Sequence, residues 1–283
     1  MPDARCEVRV TGRVAASGWR AELALGLGPA AGRTRLLHKR QLGPLTVQRP
    51  FYPEGEVCHL YVLHPPGGVV GGDRLDIDVD VAAGGHALIT TPGAAKLYRS
   101  AGPTAVVEQR LRVAQGATLE WFPLESILFP GARVRARTRV DLTDEARFIG
   151  WELYSLGRPV IGERFDSGTL TAGLALHRDG RPLLAELLRV EGRRHLDGPS
   201  GLRGHPVCGT FAATGCDRAA LDAARGVAAD GVSLGITLLD DLLVARALSG
   251  TTEPVQRLFC ALWRVLRPGL LRRDACPPRI WAT

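Results

Sequence analysis

Residues 73–81 are DRLDIDVDV, and the order of their side chains decides what kind of fold surrounds them. Leu75, Ile77, Val79 and Val81 alternate with Asp76, Asp78 and Asp80. A period of two puts the aliphatics on one face of a β-strand and the carboxylates on the other. The acids also resemble the start of a calcium loop. Counted from Asp76, however, the sixth position is Val81 instead of glycine and the twelfth is Ala87 instead of glutamate. Strand is therefore the better account. Comparable runs occur at 5–14, 57–63, 85–91, 104–113, 117–122, 133–142, 146–155 and 165–176, separated by breakers such as AAGG, SAGP, AQGA and DSGT. Many short strands with no helices between them predict an antiparallel or stacked all-β body in preference to βαβ units.

Helical spacing emerges only in the C-terminal third. DRAALDAARGVAAD, 217–230, is alanine-rich and opens on Asp217, a good N-cap. TTEPVQRLFCALWRVLRPG, 251–269, has Thr252 to cap it, Pro254 in the first turn and Pro268-Gly269 as an expected stop. Its apolar positions Val255, Leu258, Phe259, Leu262, Trp263 and Leu266 form a wide face. That face can pack on the β body, or Phe259, Leu262 and Trp263 can meet a partner. No linker or long repeat divides the chain. A single domain over 1–283 is expected, with a β-rich body over about 1–205 and a helix-containing part over about 206–283.

A chain of 283 residues, 45% hydrophobic and 23% charged, has the composition of a folded globular protein. Its net charge of +7 invites a nucleic-acid or polyanion-binding reading. The positive charge is nearly all arginine, Lys39 and Lys96 being the lysines, and the densest runs, Arg133/Arg135/Arg137/Arg139 and Arg193/Arg194, are short. Arginine at period two is expected on a solvated strand face, and aromatics at 6% form no stacking ladder. The six cysteines include no CxxC pair, and Cys58, His59 and His64 supply three donors without a fourth for zinc. No secretory signal or 18-residue apolar run is present, so reduced thiols, a cytoplasmic location and no membrane or nucleic-acid partner are expected.

HPPGGVVGGD, 64–73, is glycine-rich enough to suggest a phosphate cradle. It lacks the lysine, the hydroxyl and the following helix of such a loop, and Asp73 would repel an anion. GxSxG, HExxH and a Rossmann fingerprint are absent, GPSG at 198–201 has the wrong spacing, and a non-catalytic protein is expected. What remains is a set of acids in apolar or glycine-rich settings. Glu120 and Glu125 lie in LEWFPLESILFPGA, Glu152 in IGWELYSLGRP and Glu163 in PVIGERFDSG. A carboxylate in such surroundings must be paired, protonated or bound to a cation. Arg158 or Arg164 could pair with them; together with His86 they could instead handle a borderline divalent metal.

Five phrases in order, HPPGGVVGGD, TTPGAAKLYRS, LEWFPLESILFPGA, WELYSLGRPVIGE and the closing PPRIWAT, resemble the urease accessory protein family UreD, called UreH in some bacteria. The resemblance runs from about Leu37 to Thr283. It implies a mainly β fold, an elongated stack of antiparallel or β-helix-like sheets with a few helices. It further implies a metallochaperone or scaffold subunit that binds the helical protein UreF, reaches the GTPase UreG through it, and docks on apo-urease. Nickel would be inserted into urease and pass only transiently through this chain, with no tightly bound cofactor. Asp73, His86, Glu120, Glu125, Glu152 and Glu163 are the residues expected to line or gate such a passage. The sequence has no histidine-rich tail, which sets it apart from nickel-storing chaperones.

Overall fold

The computed structural model describes residues 18–282, so the strand expected at 5–14 lies outside the described residues. In chain order the strands are β1 (Arg20–Ala30), β2 (Arg33–Leu42), β3 (Thr46–Val47), β4 (Cys58–Leu63), β5 (Arg74–Val81) and β6 (His86–Thr90). Next come β7 (Ala95–Leu97), β8 (Ala105–Val113), β9 (Thr118–Phe122), β10 (Ser126–Leu128), β11 (Arg133–Leu142) and β12 (Arg147–Arg158). The last are β13 (Glu163–Arg164), β14 (Thr169–Arg178), β15 (Arg181–Glu191), β16 (Val207–Thr214), β17 (Val232–Leu239) and β18 (Leu242–Ser249). Among the described residues the helices α1 (Gly192–Asp197) and α2 (Arg218–Arg225) lie between later strands, and α3 (Thr252–Leu271) follows the last of them.

DRLDIDVDV forms β5, in the middle of a seven-stranded sheet ordered β15-β14-β11-β8-β5-β1-β2. The neighbours β1, β8, β11 and β14 all run parallel through it, and only the edge strands β2 and β15 are antiparallel. From β4 to β14 the chain passes repeatedly between this sheet and a second one, in which β4, β6, β9 and β12 are also parallel. The result is a coil of stacked rungs, a solenoid-like β body. The second sheet continues as β16, β18 and β17, all antiparallel.

Burial explains the alternation. Leu75, Ile77, Val79 and Val81 point into the core between the two sheets, where they meet Leu23, Leu60, Leu119, Trp121 and Val134. Each fully buried aliphatic of this size contributes roughly 1.5–3 kcal/mol. On the other face the parallel register sets Asp78 beside Arg110 and Asp80 beside Arg112 of β8, so the carboxylates face an arginine ladder.

The second sheet is covered on its outer face by α2 and α3, giving a third layer and a second core. Asp217 caps α2 by accepting a hydrogen bond from Ala220 N at 2.8 Å, and the helix ends at Arg225, earlier than the alanine-rich stretch implied. In α3 the capping residue is Thr251, one position before the expected Thr252, and Pro268 does not stop the helix. The helix runs on to Leu271 because Leu270 and Leu271 pack against the second core, and it stops at Arg272 in a left-handed conformation, φ 54°. Phe259, Leu262 and Trp263 are fully buried in that core against Phe122, Trp151 and Phe211, which corrects their reading as a partner surface. The sheet's apolar outer face needs covering, and α3 spends its whole apolar stripe on it.

Candidate functional site

Period two on β12 sends Trp151 and Leu153 toward the helices, and Glu152 and Tyr154 into the gap between the sheets. There the Tyr154 hydroxyl donates to Glu152 Oε2 at 3.1 Å, and Thr138 of β11, whose hydroxyl donates to Gln109 Oε1 at 3.2 Å, approaches the same carboxyl from the opposite sheet. On β15, Glu186 accepts from Thr210 Oγ1 of β16 at 3.2 Å and from Arg246 Nε of β18 at 2.5 Å. Glu152, Tyr154, Glu186, Thr210, Arg246 and Cys208 line a cavity of about 600 Å³. Desolvation raises the Glu152 carboxyl to about 7 and the charge of Glu186 adds to the rise, while the Thr138 and Tyr154 hydrogen bonds oppose it. Burial, reinforced by Glu152, pushes the Cys208 thiol up to about 12 and keeps it protonated. The site therefore offers one oxygen donor poised between its charged and neutral forms, beside a second held as a carboxylate–arginine pair.

A second polar centre lies beneath α3. His59 on β4, His86 on β6 and Glu120 on β9 sit on neighbouring parallel strands and face the helices. Trp263 and Arg267, one helical turn apart, come down onto them from α3. Glu120 Oε1 lies 2.7 Å from His86 Nε2, and Trp263 Nε1 donates to Oε2 at 2.6 Å. Arg267 donates to both oxygens at 2.9–3.2 Å and reaches Glu54 at 2.6 and 2.9 Å, and Glu54 in turn lies 2.7 Å from His59. Burial by itself would push the two carboxyls up. The histidine and arginine contacts outweigh it, lowering Glu120 and bringing Glu54 to about 2. Both oxygens of Glu120 are committed to protein donors, so this centre ties helix to sheet.

The structure thus brings His86 and Glu120 into direct contact and leaves the other expected path residues apart. Asp73 accepts from Trp19 N at 2.8 Å and Val70 N at 2.9 Å, which closes the glycine-rich turn ahead of β5. Glu163 forms a bidentate pair with Arg158, at 2.7 and 2.8 Å, one of the arginine partners expected for it. The Glu125 side chain is half-buried without a partner among the described residues. Among the described residues no three or more His, Cys, Asp or Glu side chains are grouped so as to hold a metal ion. The residues that sequence reading missed are Glu54, Arg267, Glu186, Thr210 and Arg246. One signal was available: Arg267 follows Trp263 at i+4, in line with the apolar stripe.

Comparison with known proteins extends over almost the whole of this architecture. The family model described as UreD urease accessory protein matches residues 20–282. A urease accessory protein UreD from Pseudomonas entomophila (strain L48) is 50% identical over 267 residues, 94% of this chain and 95% of that protein. A UreD from Alcanivorax borkumensis (strain SK2) is 48% identical over 282 residues, 97% of this chain and 95% of its own length. Citrobacter koseri has a UreD that is 47% identical over 269 residues, 94% of this chain and 92% of that one. The matched residues include both polar centres.

Proposed function

The chain belongs to the UreD family of urease accessory proteins, and on that premise we propose that it serves urease maturation by passing nickel between its two sheets, in a complex with UreF-like and UreG-like partners and apo-urease. The GTPase of that complex supplies the nucleotide chemistry, and this chain acts as a non-catalytic scaffold in the cytoplasm. Among the described residues no helix is long and apolar enough to cross a membrane.

The observation that carries the reading is Glu152: a carboxyl raised to about 7 in a cavity of about 600 Å³, where it has Tyr154 and Thr138 as its protein partners. An incoming divalent cation displaces the proton from such a group and takes a carboxylate oxygen as ligand; when the ion leaves, the proton returns. Oxygen donors hold nickel weakly compared with imidazole or thiolate clusters, and weak successive contacts suit a relay better than a closed cage. Glu186 is fixed by Thr210 and Arg246 beside the path. The basic-surface alternative, a polyanion binder, finds less support, because Arg110 and Arg112 already face Asp78 and Asp80.

Glu152→Gln keeps the shape and hydrogen-bonding capacity of the side chain and removes the titration. Co-expressed with urease and its accessory proteins, this variant is expected to lower nickel per urease at least several-fold, with pull-down of the partners unchanged. Full nickel content would sink the assignment to Glu152.

A further inference from the structure

Four of the five sequence phrases fold onto one end of the body. β7 pairs in parallel with β10, β10 pairs in parallel with Tyr154–Leu156 of β12, and Val69 bridges in parallel to Leu97. Backbone bonds from Tyr98 N to Val69 O, 2.8 Å, and from Phe129 N to Leu97 O, 2.9 Å, carry the alignment beyond the strands. Segments 64–73, 90–100, 119–132 and 151–163 therefore lie side by side as successive rungs.

Their outer rim is apolar and uncovered among the described residues. Val160 is 84% exposed, Ile161 66%, Val70 48% and Tyr98 37%. Tyr98 packs on Phe129 with ring centroids 4.8 Å apart, and the Arg158 guanidinium lies 4.6 Å over the Phe129 ring, so these three side chains form one row that leads, two residues on, to Val160. The Val160–Ile161 turn is held rigidly. Arg158 and Glu163 clamp its base, β12 and β13 pair beneath it, and Gly162 N donates to Pro159 O at 2.9 Å. Two β-branched aliphatics clamped in water gain nothing for the fold; burial against another surface would recover their hydrophobic free energy. On the same rung as Tyr98, Lys96 and Arg99 are exposed, and neither has a carboxylate partner among the described residues. Arg158 and Arg164, by contrast, are both paired. Behind the rim lies a cavity of about 400 Å³, walled by Gly67, Gly68, Val69, Lys96, Leu97 and Trp121 of the same segments.

We propose that this rim is a docking surface for a protein partner whose contact area is apolar at the centre and carboxylate-rich at the border. Val160, Ile161 and Tyr98 supply the apolar centre, while Lys96 and Arg99 supply the complementary charge. A second copy of this chain is a poor occupant, because pairing the rim with itself would set Lys96 and Arg99 against like charges. The inference rests on the maturation reading for its choice of probes: purified UreF-like protein, UreG-like protein and apo-urease.

The test measures the affinity of the full chain for each probe separately, for wild type, Val160→Asp and the double substitution Lys96→Glu/Arg99→Glu. Val160 is so exposed that its variant is expected to melt as wild type does. One of the three probes is expected to bind wild type and to lose at least tenfold in affinity with both variants, the charge reversal losing more at low salt than at high salt. Unchanged affinity for every probe would overturn the surface, as would a wild-type dimer that Val160→Asp turns into a monomer. Nickel counted in urease separates the premise from the inference. Omitting the chain without changing that count overturns the maturation reading even where the surface holds; a full nickel requirement with variants that bind normally overturns the surface alone. A wild-type chain that binds none of the three overturns both.

Discussion

Arg267 is the residue that joins the two carboxylates beneath α3. It is fully buried between Glu120 and Glu54, and it also donates to the Asp274 carbonyl. Arg267→Met takes the guanidinium from Glu120 and Glu54 and leaves them His86, Trp263 and His59, and an expected loss of about 3–5 kcal/mol would show as a lower urea midpoint. The sign of the pH dependence follows from the same geometry. Glu54 is held at about 2 in the fold against an ordinary 4.5. It contributes stability above 4.5 that is lost as pH falls toward 2, and Arg267→Met flattens that acid limb. Of this chemistry, the acids were legible, because glutamates among Trp, Phe and Leu demand an explanation, and so was the Arg158 partner of Glu163, five residues away. Arg267 was not, since it meets Glu120 across 147 positions of sequence. Glu186 is likewise brought to Glu152 by the stacking of two sheets, which local spacing does not encode.

At the scale of elements, β12 contributes to both cores and to the exposed rim, and Gly157 lets it do so. Its φ is +92°, and a Cβ there would lie 2.3 Å from the Glu163 carbonyl oxygen. Gly157→Ala is expected to cost at least ~1–3 kcal/mol and to release the Val160–Ile161 turn, read as lower melting temperature and faster proteolysis near residue 160. Strands such as β5, β8 and β11, with one face in the core and one in water, announced themselves by alternation. β16 and β18 did not. VCGTFAAT and LLVARALS lie between the first core and the helices, so both faces are largely buried and the period vanishes. β2 went unrecognised for the opposite reason: as an edge with most of its residues exposed, RTRLLHKRQL has little apolar pattern to find.

At the scale of the whole molecule, a stack was foreseen with antiparallel or β-helix-like sheets left open, while the parallel run of its rungs, its order and the third layer needed the structure. A stack of parallel strands ends in open edges, and these are treated unequally. β2 carries Arg33, Arg35, Lys39 and Arg40, whereas β15 carries Arg181, Pro182 and Arg189 and faces a register shift at Leu176/His177. Both resist the addition of a foreign strand. β17, VSLGITLL, bears no charge or proline, pairs with β18 without a register break, and has one of its carbonyls, that of Ile236, covered by Arg225. β17 is thus the least guarded of these three edges: a single gatekeeper charge, Thr237→Lys, is expected to raise the concentration at which the purified chain begins to scatter light, with its melting temperature preserved.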